Sequence, residues 1–395
     1  MIKILNFCSN SVNGGTAKIF YDVSMGLTEK YGNDLDVVSC VNSNNGVEIY
    51  NKIPKIDRLN VQSIEQIFDT SSDDNSIANR IQRVYRTQKY KKIRNRNIAE
   101  MREYIREKKV DAVLVHNGGY FGDDLCNQMI EAAYLEKIHK RIIVFHNATE
   151  KNFIKKLYYI PYDLKMNNFA TKIYSVSNFT ANRIMKSSLI KDVKVIYNGM
   201  KIKKTLTKDF RCEQLCIYDD KLIIGCIANF MHNKGVLYLI KAIANLNTNK
   251  NFRVIIIGNI YDKEYYETCV KYIKNHNLES IISIFHGIYN AGEYSDLFDI
   301  MVVPSIVNES FGLVSLEAMA NKTPLVTFNC EGIPEVVGDA ARVVEKKDYI
   351  SLGNEIRNLL ENENLRENLS KQAYKRYISS FTISNMIDNY SKLFL

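Results

Sequence analysis

Short runs of apolar, often β-branched residues punctuate this sequence almost from end to end, with longer amphipathic stretches between them. In the first half the runs are Ile2–Phe7, Leu35–Val41, Ala112–His116, Arg141–His146, Lys172–Val176 and Val193–Tyr197. In the second half they are Leu222–Ala228, Phe252–Gly258, Ile281–Phe285, Ile300–Pro304 and Leu325–Phe328. Most are continuous rather than alternating, the pattern of parallel strands covered on both faces. Helical periodicity occupies Ala17–Glu29, Val236–Asn247, Lys263–Asn275, Phe311–Ala320 and the amphipathic end, Ser384–Leu395. Parallel strands need crossovers, so this alternation predicts doubly wound, Rossmann-like α/β sheets. It occurs twice.

A chain of 395 residues is too long for one ordinary core and suits two. The break falls after Val195-Ile-Tyr-Asn-Gly199, where a polar, lysine-bearing stretch without periodicity begins. The expected division is a first domain over 1–199, a linker over 200–220, a second domain over 221–380, and a C-terminal helix over 381–395 packing back on the first domain.

Hydrophobic residues at 46% and charged residues at 25% are the mixture of a globular protein. No apolar run approaches the roughly 20 residues that span a bilayer, and the start reads as a first strand rather than a signal peptide. A cytoplasmic protein is expected. Its eight cysteines are scattered, without Cys/His partners at metal-ligand spacing, which suits reduced thiols.

The net charge of +9 is concentrated in Arg80–Lys109, where twelve basic residues face Glu100, Glu103 and Glu107. Ile81, Val84, Tyr85, Tyr90 and Ile93 are interleaved with them. Basic side chains beside aromatic rings suit an anionic membrane surface, with Lys89, Lys91, Lys92 and Arg94 at its centre, although a solvated helix face or a protein partner fits the same residues. Phe153–Phe169 repeats the combination on a smaller scale. No nucleic-acid module is present, so nucleic acid is not an expected partner.

Ligands of open α/β sheets bind beyond the carboxyl ends of strands. The most informative junction is Pro304-Ser-Ile-Val-Asn-Glu-Ser-Phe-Gly-Leu-Val-Ser-Leu-Glu317, where a helix is predicted to start near Phe311 and to carry Glu317 two turns in. Backbone N–H groups at Ser310, Phe311 and Gly312 would form an anion site for a diphosphate. A cap at Glu309 and Ser310 with a solvated Glu317 is the alternative.

Glu309-Ser-Phe-Gly-Leu-Val-Ser-Leu-Glu317-Ala-Met-Ala resembles the E-x7-E signature of retaining GT-B glycosyltransferases of the group 1, family-four type, which build bacterial surface glycans. Glu331-Gly-Ile-Pro-Glu335 is similar to the family's G-x-P-E turn, and Asn233-Lys-Gly-Val-Leu-Tyr-Leu-Ile-Lys-Ala242 to its K-G-x4-[IL]-x-A segment. The resemblance implies a GT-B fold with two Rossmann-like domains facing across a cleft. It implies transfer from a nucleotide sugar, UDP-linked first and GDP- or ADP-linked next, to a glycan, lipid-linked glycan or protein-linked acceptor; with no carboxylate placed as a nucleophile, front-face attack is expected over a double displacement. By the same resemblance Glu317 accepts from the ribose hydroxyls, and Glu309 meets the donor sugar with Phe311, Gly312 and Leu313 nearby. Lys234 neutralises the diphosphate. A nucleotide sugar is a substrate, so no cofactor is expected. Because the family generally does without a metal, none is expected here, although Asp34-Leu-Asp36 reads D-x-D.

One departure stands out. The family often carries an Arg before the Lys, whereas this chain reads Gly225-Cys-Ile-Ala-Asn-Phe-Met-His-Asn233, leaving Asn229, His232 or the first domain to replace it. In the first domain, Gly14 and Gly15 resemble the family's G-G loop, and the spacing lacks the G-x-G-x-x-G of a dinucleotide fold. His146 resembles the family's [VIL]-x-H position, while His116 and Glu150 are placed in the acceptor region. Rival readings on the same fold are a nucleotide-sugar epimerase, a phosphorylase and a non-catalytic partner subunit.

Overall fold

A computed structural model of the protein describes residues 1–9, 14–42, 47–62, 77–119, 123–148, 153–201, 204–307 and 309–395; for 77–87 and 153–159 it describes the backbone alone. The chain forms two compact units, Met1–Tyr197 with Met386–Leu395, and Asn198–Asn385.

The first unit holds strands β1 (Ile2–Cys8), β2 (Leu35–Asn42), β3 (Asp57–Leu59), β4 (Ala112–Asn117), β5 (Lys140–Phe145), β6 (Lys172–Ser175) and β7 (Val193–Val195). They form one parallel sheet in the order β3-β2-β1-β4-β5-β6-β7. Helices α1 (Gly15–Tyr31), α2 (Ile77–Lys108), α3 (Asp124–Leu135), α4 (Phe153–Phe169) and α5 (Asn178–Ser187) connect the strands. Every residue of β4 is buried, as its apolar run demands. β3 was not expected, because Asp57-Arg-Leu59 is a half-buried edge strand with no apolar run to betray it.

The second unit repeats the plan with β8 (Leu222–Ile227), β9 (Phe252–Ile257), β10 (Ile282–Phe285), β11 (Ile300–Val303), β12 (Leu325–Phe328) and β13 (Arg342–Val344). Their parallel order is β10-β9-β8-β11-β12-β13. The helices are α6 (Lys208–Gln214), α7 (Val236–Ala244), α8 (Lys263–Asn275), α9 (Leu313–Ala320), α10 (Ile333–Val337), α11 (Tyr349–Glu361) and α12 (Glu363–Ser380). The final helix is α13 (Ile383–Ser391).

The stretch read as a linker over 200–220 is built into the second unit. Met200 N–H donates to the Phe381 carbonyl at 3.0 Å, and Thr207 caps α6 through Phe210 N–H at 3.3 Å. Arg211, 2% exposed, donates to the Glu293 carbonyl and pairs with Asp296. This packing rests on polar contacts, which apolar periodicity does not reveal. At the other end of the chain, Met386–Leu395 belong to the first unit, where Asp388 accepts from Tyr31 at 2.7 Å and pairs with Lys30.

Candidate functional site

In each sheet the strand order reverses once, the position at which open α/β sheets bind their ligands. In the second unit the reversal lies between β8 and β11. The loop after β8 ends in the turn His232–Lys234, and Gly235 follows in the left-handed region at φ 68°. A β-carbon at Gly235 would lie 1.9 Å from the Pro304 carbonyl oxygen, so only glycine lets the two loops touch. Ile306 N–H donates to the Asn233 carbonyl at 2.9 Å and seals the contact. The result is an ion pair between Lys234 Nζ and Glu309 Oε1, which also accepts from Ser305 Oγ at 3.1 Å. Both side chains line a cavity of about 210 Å³, with Asn229, Gly258, Pro304 and Gly312 on its walls.

Glu309 is fixed through its backbone as well. Its N–H donates to Glu331 Oε2 at 2.8 Å, and its carbonyl accepts from Gly332 N–H at 2.8 Å. Gly312, at φ 86°, caps α9, which begins at Leu313. Glu317 therefore stands about one turn into the helix and not two. Its half-buried carboxyl lies against Gly292, where a β-carbon would come within 2.5 Å of Cδ. Phe311 is buried and meets Phe381 edge-on at 5.8 Å, so its side chain anchors the loop. Ser310 and Leu313 are half-buried on either side.

The residues weighed as replacements for the missing Arg have other work. Asn229 Oδ1 accepts from Asn259 N–H at 3.0 Å, and Asn259 Oδ1 accepts from Gly287 N–H at 2.9 Å, tying together the tips of β8, β9 and β10. His232 is exposed and packs edge-on against Tyr265 at 5.7 Å. Lys234 is the one basic side chain lining the cavity among the described residues. Asn259 and the clamping role of Glu331 were missed by sequence reasoning; the Glu331-Gly332 turn was the available signal.

In the first unit the reversal lies between β1 and β4. Gly15 is the exposed first residue of α1, and the loop residues 10–13 before it lie outside the described residues, as does Glu150. His116 and His146, from the ends of β4 and β5, meet with Nδ1 of the first 3.0 Å from Nε2 of the second. Burial, with the other imidazole nearby, lowers the His116 pKa well below the usual range; burial alone lowers that of His146 to about 3. His116 is 0% exposed and His146 8% exposed, so of the two only the His146 side chain reaches the surface. Nearby, the half-buried Asp123 accepts from Ser9 and caps α3, and desolvation raises its carboxyl above the ordinary range.

The basic stretch forms α2, and only part of it faces solvent. Lys89, Lys91 and Lys92 are exposed. Arg94 instead forms a two-point pair with Glu131, and Tyr90 donates to Asp124 at 2.7 Å. Arg102 and Arg106 share Glu136, at 2.6 and 3.0 Å. Arg94 and Tyr90 thus dock α2 on α3 and leave the proposed membrane face to the lysines. Asp36 of the D-x-D sequence pairs with Lys3 at 3.4 Å.

Residues 208–376 match the family model described as glycosyl transferases group 1. The chain is 26% identical over 208 residues to an N-acetyl-alpha-D-glucosaminyl L-malate synthase of Bacillus anthracis, covering 52% of this chain and 54% of that protein. It is 25% identical over 224 residues to the capsular polysaccharide biosynthesis glycosyltransferase CapM of Staphylococcus aureus, covering 54% and 58%. The chain thus spans about half the length of the curated relatives it matches. Across 99% of both chains it superposes on Anabaena HepE in complex with UDP, with a TM-score of 0.76 and 14% identity, which speaks for the fold alone. The two parallel-sheet units share the fold of GT-B glycosyltransferases, and residues 208–376 carry the sequence pattern of a glycosyl transferases group 1 domain.

Proposed function

We propose that the chain is a retaining glycosyltransferase that takes a sugar from a nucleotide donor, UDP-linked first, and passes it to a glycan, lipid-linked glycan or protein-linked acceptor in surface-glycan synthesis. The observation that carries this reading is the Lys234–Glu309 pair at the switch point of the second sheet, on the wall of a cavity. A diphosphate entering there would exchange the carboxylate partner of Lys234 for its own oxygens, just where charge accumulates as the glycosidic bond breaks. The amino end of α9, at Gly312 and Leu313, adds backbone N–H groups and the positive end of the helix dipole. Glu317 accepts from the ribose, and His146 meets a sugar hydroxyl. The naming of CapM and the UDP held by HepE support the substrate classes.

No helix among the described residues is long and apolar enough to cross a membrane. Attachment to the inner face of the membrane would instead be peripheral, through Lys89, Lys91 and Lys92. The activity is tested by offering UDP-, GDP- and ADP-sugars and measuring nucleotide release, then reading the anomeric configuration of the product by NMR. Release from one nucleotide class with retained configuration is expected. Release from none overturns the reading.

A further inference from the structure

The two buried imidazoles of the first unit meet in a way that fixes which nitrogen carries the proton. Their ring centroids are 5.2 Å apart and their planes differ by 24°. The nitrogens, at 3.0 Å, approach more closely than the ~3.5 Å at which ring faces touch, so the rings join edge to edge through an N–H···N hydrogen bond. Burial keeps both rings neutral. A neutral imidazole has one N–H, so either His116 donates through Nδ1 or His146 donates through Nε2.

The far side of His116 decides between them. Its Nε2 is buried and has no hydrogen-bond partner among the described residues. The ring lies over Tyr390 at 5.7 Å and 25°, with Phe20 edge-on at 5.8 Å. Were His146 the donor, the His116 proton would sit on Nε2 as a buried, unpaired N–H, the rarest kind of orphan group in a folded chain. Were His116 the donor, Nε2 would keep only a lone pair among aromatic rings, which is the smaller penalty.

We infer that His116 is a positioning residue whose Nδ1–H locks His146 in the Nδ1–H tautomer, so that the open nitrogen of His146 is a donor. The structure records no partner for His146 Nδ1 among the described residues. The ligand group it meets is then an acceptor, such as a hydroxyl oxygen or an anionic oxygen. That consequence rests on the proposed role of His146 toward a sugar, whereas the tautomer itself does not.

Long-range proton–nitrogen NMR of the full chain, labelled with nitrogen-15 at histidine, reads the tautomers directly. Expected are protonated Nδ1 and bare Nε2 on both rings; a proton on Nε2 of His146 overturns the inference. His116→Asn places an amide donor near the lost Nδ1 and should keep both the tautomer and turnover, within about threefold. His116→Phe fills the space between Phe20 and Tyr390 without a donor, so His146 should gain the Nε2–H form, and turnover should fall about tenfold at unchanged nucleotide affinity. An unaltered His146 tautomer in His116→Phe also overturns the inference. Failure of the functional reading looks different: His146→Ala would then turn over like wild type, while the wild-type spectra still show the locked tautomer.

Discussion

Glu309 is held on both sides of its backbone by one turn: Glu331 Oε2 accepts from its N–H and Gly332 N–H donates to its carbonyl, each at 2.8 Å. The carboxylate that pairs with Lys234 therefore owes its place to a residue 22 positions downstream. Glu331→Ala should lower turnover about tenfold or more, as expected when a charge-assisted hydrogen bond is lost. Glu331→Gln retains an acceptor and should lose much less. Steady-state rates for the two variants check this, and equal rates for Glu331→Ala and wild type would refute the clamp.

Gly332 has an ordinary φ of −81°, so its need for glycine is steric. A β-carbon there would lie 2.1 Å from the Ser310 carbonyl oxygen, which is backbone and cannot swing aside. Gly332→Ala should cost about 1–3 kcal/mol, read as a lower Tm. An unchanged Tm would show that the loop has room.

The histidine pair predicts a direction for acid sensitivity. His146 stays neutral in the folded chain down to about pH 3, while an unfolded histidine protonates near 6.5. Between those values the unfolded chain binds more protons, so this contribution to stability is present above about 6.5 and is lost as pH falls. Burial raises the carboxyls of Asp22 and Asp123, whose contributions run the opposite way, being lost as pH rises. Wild type should therefore lose more Tm between pH 7 and 5 than His146→Gln does. Parallel curves would show that the pair does not govern this window.

Exposure separates the lysines proposed to meet a membrane from the residues that hold α2 to α3. Replacing Lys89, Lys91 and Lys92 by Glu should release the protein from anionic vesicles at 0.1 M salt, where the Debye length is about 10 Å, without affecting nucleotide binding. Arg94→Glu should instead lower Tm, because it sets two carboxylates together in a half-buried pair. Failure of wild type to sediment with such vesicles would leave the lysines a solvated face.

Continuous apolar runs made the central strands of both sheets legible, because burial on both faces writes itself into composition. The edge strands Asp57–Leu59 and Arg342–Val344 are half-buried and carry no such mark. The packing of 200–220 was hidden for a related reason, since Arg211 docks by charge and hydrogen bonds. At the site, spacing indicated that Glu309 and Glu317 flank a helix start. The left-handed Gly312 then moved that start to Leu313. The burial of His116 and the outward alternation of α2 depend on what packs against them, and no local pattern records that.

The central claim is that the cavity between the ends of β8 and β11 holds the donor nucleotide. Calorimetric titration of UDP into wild type and into Glu317→Ala and Lys234→Ala tests it most directly. The account predicts binding by wild type, weakened about 10- to 100-fold in each variant as a charged contact is lost, with far-UV spectra unchanged. Equal UDP affinity in all three proteins would contradict it.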